Sequence, residues 1–409
     1  MPLFTYSAKN FKGEEKTGEL EAVDTLDVAG QLRKDGYVLT FAEEVLKTEK
    51  PKFALLKISF DFLQRITLAD KMIFSRNLAV LVGAGVSLNR ALDILAKEME
   101  KERFKKTILT VSERVRTGKS FSDALEEFPA VFEEIYTSMI RVGETGGNLE
   151  EVLKLLALHY EKEHDLRSKV QGAMIYPAVV VVIMFLVGAM MMIFVIPKLT
   201  KIFVDLGVEL PFSTKIIIFT SHIMEKYALL VFAAIFAFIY ALRIFSKKEI
   251  GKKIFHKLIL KAPILKNIAK KVNSARMSRI LSSLIESGVP MVRALEISAR
   301  TLSNYYFRKS LIVASEEVQK GKQLSKSLAE FHELYPGLIT QMIEVGEESG
   351  KLSEILVKVA DFYEEEVSAI TKNLASIIEP ALMVVIGVAV GFFAVSMIQP
   401  LYAIVSQAG

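Results

Sequence analysis

Val142-Gly143-Glu144-Thr145-Gly146-Gly147-Asn148-Leu149 returns, an offset of 203 later, as Val345-Gly346-Glu347-Glu348-Ser349-Gly350-Lys351-Leu352. One glycine-rich turn between apolar runs means little, but the same turn twice at a fixed distance invites a search for duplication. Working outward, the offset holds. Ser75-Arg76 maps to Ser278-Arg279, Gly85-Val86 to Gly288-Val289, and Arg90-Ala91-Leu92 to Arg293-Ala294-Leu295. Gly118-Lys119 maps to Gly321-Lys322, Glu127-Phe128 to Glu330-Phe331, Tyr160-Glu161 to Tyr363-Glu364, Pro177 to Pro380 and Pro197 to Pro400. No insertion or deletion separates the copies along these anchors.

Each copy reads as a helical bundle. Leu149, Val152, Leu153, Leu156 and Tyr160 form an apolar stripe at helical spacing, repeated by Leu352, Ile355, Leu356, Val359 and Tyr363. Short turns at Gly85, Gly118 and Gly147 suggest antiparallel neighbours. Ser87 suits an N-cap and Pro290 the first position of the matching helix. Asn148 with Glu151 suits a capping box, which Lys351 cannot reproduce in the second copy.

Each bundle is followed by an uncharged apolar segment. Pro177 to Pro197 and Pro380 to Pro400 are each twenty residues apart, which as helix spans about 30 Å, the thickness of a bilayer core. Pro177 stands at the start of its segment, where proline suits a first turn. A third apolar run, Ala228 to Leu242, lies between the copies and has a less definite beginning. Of the 409 residues, 51% are hydrophobic and 24% charged, so apolar spans must be joined to water-facing domains. Arg167 and Lys169 precede the first span, and Arg243, Lys247, Lys248, Lys252 and Lys253 follow the second. Basic flanks stay in the cytoplasm. This places the N-terminus and both bundles inside and the C-terminus in the periplasm. The N-terminus shows no charged segment leading into an apolar one, so no cleavable signal is expected. A net charge of +5 is too small to suggest nucleic acid, and the lack of cysteine excludes thiolate chemistry.

The fold expected is therefore an all-α membrane protein with two tandem homologous cytoplasmic helical bundles, three transmembrane helices and a small N-terminal α+β segment. The divisions are 1–44 for that segment and 45–66 for a linker, which as an alternative could be a helix lying on the membrane. The first bundle covers 67–172, the first span 173–197, a periplasmic loop 198–222 and the second span 223–245. The second bundle covers 246–375 and the third span 376–405. Within the first segment, Leu3–Ala8, Thr17–Ala22 and Tyr37–Phe41 read as strands, with a turn at Gly13 and a helix from Asp27 to Lys34.

These residues together resemble the type II secretion system F family over nearly the whole chain. The resemblance is carried by the duplicated Val142–Leu149 motif, the span starts Tyr176-Pro177 and Glu379-Pro380, and Gly85-Val86-Ser87-Leu88. Glu209-Leu210-Pro211 and the opening Phe4-Thr5-Tyr6 with Gly18–Ala22 add to it. It implies an inner-membrane platform beneath a growing pilus or pseudopilus. A hexameric cytoplasmic ATPase would engage it, and it would pass motion to pilins or pseudopilins. Other inner-membrane assembly proteins, self-association and contact with lipid are implied too. The residues expected to matter for folding or docking are Arg76, Gly85, Gly143, Glu144, Gly147, Leu149 and Pro177, with Arg279, Gly288, Gly346, Glu347, Gly350, Leu352, Glu379 and Pro380.

No catalytic residue or cofactor is expected. Arg116-Thr117-Gly118-Lys119-Ser120 contains the Gly-Lys-Ser of a phosphate-binding loop, but the earlier glycine is replaced by Glu113, and the second copy reads Gly321-Lys322-Gln323. His159 and His164 are five apart, the wrong spacing for a zinc helix, and become Phe362 and Val367. Glu144 and Glu347 are candidates for a divalent cation or partner contact, with a carboxylate accepting backbone N–H groups at a helix start as the plainer reading. Glu379 reads as a boundary carboxylate. Arg76 and Arg279 could hold acidic partners or a buried carboxylate. A transporter acting as an oligomer is the alternative function, but the first span offers it no polar group. An intramembrane protease would need catalytic residues that the spans lack.

Overall fold

The structure is a computed structural model and describes residues 2–10, 15–45, 65–205 and 210–408. Gly13, Glu209 and most of the expected linker lie outside the described residues. The chain divides into two units, Met1–Leu63 and Gln64–Gly409.

The first unit is a three-stranded antiparallel sheet with one helix. Strands β1 (Leu3–Asn10), β2 (Glu15–Glu21) and β3 (Tyr37–Val45) lie in the order β2-β1-β3, and α1 (Thr25–Lys34) precedes β3. Phe4, Tyr6 and Ala8 alternate along the central strand and bury one face against Val28 and Leu32 of α1. Asp24 caps α1 by accepting from the Asp27 amide at 2.8 Å.

The second unit holds the duplication. The first repeat comprises α2 (Leu68–Gly83), α3 (Leu88–Glu98), α4 (Glu102–Arg116), α5 (Phe121–Glu126), α6 (Glu134–Gly146) and α7 (Leu149–Met190). A π-helical turn, Met191–Val195, joins α7 to α8 (Ile196–Asp205). The long α9 (Phe212–Phe245) and α10 (Glu249–Lys261) bring the chain back. The second repeat comprises α11 (Pro263–Glu286), α12 (Met291–Thr301), α13 (Tyr305–Gln319), α14 (Leu324–Ala329), α15 (Gly337–Ser349) and α16 (Leu352–Ala408). From α12 to the start of α16, every boundary falls 203 residues after its counterpart in α3 to α7. The two bundles share one apolar core.

That core is the same in plan and different in detail. Phe74, Phe104, Phe132 and Tyr136 cluster in the first repeat, where the Tyr136 hydroxyl meets Ser75 at 3.0 Å. The second repeat has Met277, Phe307, Tyr335 and Ile339 in those places, and its tyrosine meets Ser310 at 2.7 Å instead. Ser278, the counterpart of Ser75, is left buried without a partner among the described residues.

Among the described residues, three helices are long and apolar enough to cross a membrane. α7 and α16 each run from a bundle into their span without a break. Pro177 therefore does not open a helix: α7 starts at Leu149, and the proline sits mid-helix, where it removes one ladder N–H. Pro380 is likewise interior to α16. Between the two spans lies a cavity lined by Val180, Ile183 and Val187 on α7 and by Ile386, Val390 and Phe393 on α16. Ile183 with Ile386, and Val187 with Val390, are matched repeat positions, so the spans run side by side at one depth. The π-helical turn displaces ladder carbonyls, and Ser221 of α9 donates to the Met192 carbonyl there at 2.6 Å. Thr214 donates to the Ser396 carbonyl of α16 at 2.5 Å. A kink at Tyr227 (φ −124°, ψ 25°) divides α9.

Three capping expectations are corrected. Ser87 stands at the N-cap of α3 but makes no side-chain cap bond. Pro290 is the N-cap of α12, one position before the first turn. Asn148 makes no capping bond either, because its ψ of 40° is not the extended conformation that aims a cap side chain along the helix. The capping box lies elsewhere: Asp70 accepts from the Thr67 amide at 2.6 Å, and Thr67 from the Asp70 amide at 3.3 Å.

Gly143 has no room for a side chain: a methyl there would lie 2.9 Å from Val152 Cγ2 of the next helix. Gly143→Ala should destabilise the purified full chain by about 1–3 kcal/mol through overpacking. Gly172→Ala, with nothing within 4 Å, should leave the unfolding midpoint unchanged or raise it. Helical circular dichroism against temperature checks both.

Candidate functional site

The duplicated motif is one compact device. Gly147 and Gly350 end α6 and α15 in the left-handed conformation (φ +71° and +68°), which glycine adopts without a Cβ penalty. The Gly143 and Gly346 carbonyls accept from the following Asn148 and Lys351 amides at 3.0 Å, closing each turn. Leu149 and Leu352 then start the long helices. Glu144 reaches back to the start of α5. It accepts from the Phe121 amide at 2.6 Å, the Ser122 amide at 3.0 Å and the Ser122 hydroxyl at 2.9 Å. Glu347 does the same for Leu324 and Ser325, at 2.6, 3.0 and 2.5 Å. A six-residue helix cannot hold itself together, and a carboxylate on its free amides supplies the missing partner. No group of three or more metal-ligating side chains occurs among the described residues.

Arg76 and Arg279 each hold a carboxylate on the long helix of their own repeat. Arg76 meets Glu161 at 2.8 Å in a half-exposed pair. Arg279 is only 7% exposed, grips Glu364 with two bonds at 2.9 and 3.0 Å, and also meets Asp361 at 2.6 Å. Partial burial opposes the ionisation of Asp361, but hydrogen bonds from Arg279 and Lys162 outweigh it and hold the carboxyl below its usual range.

Lys162 belongs to the first repeat, so this cluster lies on the seam between the bundles. There Lys162 meets Asp361 at 3.0 Å, Arg276 meets Glu163 at 2.7 Å, and Arg293 and Arg300 meet Glu134 at 2.7 and 2.8 Å. The helices involved are α6 and α7 on one side and α11, α12 and α16 on the other. His159 is buried in the same seam with Nδ1 unpartnered among the described residues. Burial and the nearby Arg279 charge push its pKa down to about 4, against an opposing pull from Glu133. Glu133 itself accepts from Lys71 at 2.6 Å and from the Tyr160 hydroxyl at 2.8 Å.

The remaining predicted positions are separate from this seam or border it. Gly118 turns the chain between α4 and α5, Lys119 pairs with Glu127 at 2.7 Å, and Ser120 caps α5. Lys322 pairs with Glu330 at 2.6 Å in the second repeat, so the Gly-Lys-Ser segment is a helix-ending turn in a duplicated ion pair. His164 lies apart from His159, 3.7 Å from Asp165. Gly85 and Gly288 are left-handed turns, and Glu379 is exposed immediately before the uncharged stretch of α16. The seam residues Glu134, Lys162 and Arg276 gave no signal in the sequence, because they differ between the copies, and Glu163, repeated as Glu366, pairs across the seam with a residue that is not repeated.

The family model described as "Type II secretion system (T2SS), protein F" matches residues 74–197 and again 277–400, and its N-terminal domain model matches residues 1–43. The chain belongs to the type II secretion system protein F family. Two similar proteins are named type IV pilus assembly protein PilC. That of Myxococcus xanthus is 35% identical over 98% of this chain and 94% of its own length; that of Thermus thermophilus is 34% identical over 99% and 98%. The type II secretion system protein F of Vibrio cholerae is 30% identical over 98% of each chain. The two long family matches begin and end at the offset of the internal repeat, so the unit of this family is one bundle with its span.

The buried His159 makes the seam sensitive to acid. Its folded pKa lies below the unfolded value of about 6.5, so the unfolded chain binds the extra proton, and stability falls as pH drops from 6.5 towards 4. Between pH 7 and 5 the loss should be roughly 2 kcal/mol. His159→Phe, which copies Phe362 of the second repeat, should remove most of this difference. Unfolding of both proteins at the two pH values checks it.

Proposed function

We propose that this protein is an inner-membrane platform of a type IV pilus or type II secretion machine. In this reading it couples a cytoplasmic assembly ATPase to the polymerisation of pilins or pseudopilins and has no catalytic turnover of its own. The observation that carries it is the pair of bundle-and-span repeats, matched over nearly full length by proteins named for pilus assembly and for type II secretion.

The architecture supports the role physically. Two bundles fused by a charged seam give a rigid surface on one side of the bilayer, and α7 and α16 run from that surface into the membrane. The N-terminus and both bundles are read as cytoplasmic and the C-terminus as periplasmic, on the excess of lysine and arginine around the bundles. Contacts with the ATPase fall on the bundles, and contacts with subunits leaving the bilayer fall on the spans.

A clean deletion, complemented in trans, tests the role when surface filaments and secreted protein are scored together. Loss of filaments alone assigns the protein to a pilus, loss of secretion alone to a secretion machine, and survival of both refutes the platform. Orientation has its own test, since the chain lacks cysteine. In intact spheroplasts an impermeant maleimide should label Phe212→Cys, and should label Lys326→Cys only after permeabilisation. The reverse pattern refutes the orientation.

A further inference from the structure

Beside the seam, the first repeat holds a polar cavity of about 520 Å³. Its walls are the start of α2, the start of α4, the turn before α6 and the last polar turns of α7. Arg65, Arg103, His164 and Arg167 line it together with the buried Lys71. Glu133 is the one carboxylate among the described residues of its wall, and Lys71 meets it at 2.6 Å. The three guanidiniums are left uncompensated: Arg65, Arg103 and Arg167 have no ion pair or side-chain hydrogen bond among the described residues. Arg167 lies within the field of Glu163, but that carboxylate is held by Arg276 at 2.7 Å. Elsewhere in this repeat Arg76, Arg114, Arg116 and Arg141 each meet a carboxylate within 3.1 Å. The helix starts add to the positive field, since the N-caps of α4 and α6 make no side-chain cap bond.

The second repeat shows that the bundle does not need these charges to fold. Arg65, Arg103, His164 and Arg167 correspond there to Ile268, Tyr306, Val367 and Ile370, and the buried Lys71 to Ser274. Like charges gathered around one cavity repel each other, so the cluster costs stability unless something anionic enters it. The course of α7 fixes where the cavity lies. Lys169 is the last charge before Lys198, and Arg167, Ser168 and Gln171 of the cavity wall lie within two residues of it. Two residues are about 3 Å of helix rise, which puts the cavity at the edge of the bilayer, at the depth of lipid phosphates.

We propose that this cavity binds the phosphate group of an anionic ligand, with Arg65, Arg103 and Arg167 as its donors. A guanidinium presents paired N–H groups at the spacing of phosphate oxygens, and three of them around one cavity suit a group with several acceptor oxygens. Two sources of phosphate reach this depth. One is the headgroup of an anionic phospholipid whose chains lie beside α7, since basic pockets next to spans hold such headgroups. The other is a water-soluble phosphate ester. A zwitterionic headgroup fits poorly, because its ammonium would face the same arginines. Contact of the spans with lipid tails needs no charge and is a separate matter from this site on the bundle. The inference rests on the cavity and on the entry of α7 into a membrane, and is independent of the role proposed above.

Native mass spectrometry of the full chain, released from a neutral detergent, reads bound molecules directly. Phosphatidylglycerol and glycerol 1-phosphate are the two phosphate probes, and phosphatidylcholine is the zwitterionic control. At least one phosphate probe should bind about ten-fold or more tighter than phosphatidylcholine. The triple variant Arg65→Gln, Arg103→Gln, Arg167→Gln should lose that preference with its unfolding midpoint unchanged, since none of the three side chains holds another group. Arg103→Gln alone should weaken binding about five-fold. Lys247→Gln with Lys248→Gln and Lys257→Gln removes three exposed charges near the second span and should leave the preference intact. Glycerol 1-phosphate separates the sources. If it displaces phosphatidylglycerol at equal concentration, the ligand is a soluble ester; if phosphatidylglycerol stays bound, the ligand is the lipid. Binding of neither probe, equal binding of phosphatidylcholine, a preference that survives the arginine variants, or one lost in the lysine variant overturns the proposal.

Discussion

Two bundles packed on each other must lie on the same side of a bilayer, and each passes its last helix into a span leading away from that side. A chain cannot do this twice without returning in between. That parity requirement explains α9 and α10, which have no counterpart in the repeat. It also explains why the connection is held to the others by side chains. Ser221 satisfies a carbonyl at the π-helical turn, and Thr214 a carbonyl of α16. In lipid, where no water replaces a lost backbone bond, such hydroxyls fix neighbours as apolar contact alone cannot.

Duplication copied a backbone and then let its polar insertions drift. The glutamate at the short helix kept every bond in both copies, since nothing else can satisfy the amides it holds. The tyrosine–serine contact moved from the α2–α6 pair to one between α13 and the turn that precedes α15. The arginine on the first helix of each repeat kept its glutamate but is half-exposed in the first copy and buried in the second, where the seam covers it. A buried guanidinium needs full pairing, and Asp361 is the added partner. Divergence is therefore greatest where the two copies face different neighbours.

Much of this was legible in the sequence. A fixed offset survives only if no helix has changed length, so the duplication read from Gly143 and Gly346 gave the bundles as well. The spans were visible because bilayers exclude charge. Pro177, Ser87 and Asn148 were misread in one respect for a common reason: residue type gives a preference for a helix end, and packing decides whether an end is there. An amphipathic stripe that turns uncharged looks like two helices in sequence and is one in α7. The seam was invisible because its ion pairs join positions with no common pattern, and the burial of His159 depends wholly on what covers it.

The three connections between the bundles and the far side of the membrane differ in stiffness. The first contains a π-helical turn and the second a kink at Tyr227, whereas α16 is a single helix of 57 residues. At 1.5 Å per residue it is about 85 Å long, nearly three times a bilayer core of about 30 Å. A rod clamped in the second bundle at one end and held by lipid midway behaves as a lever. A tilt of that bundle swings the opposite tip in the reverse sense.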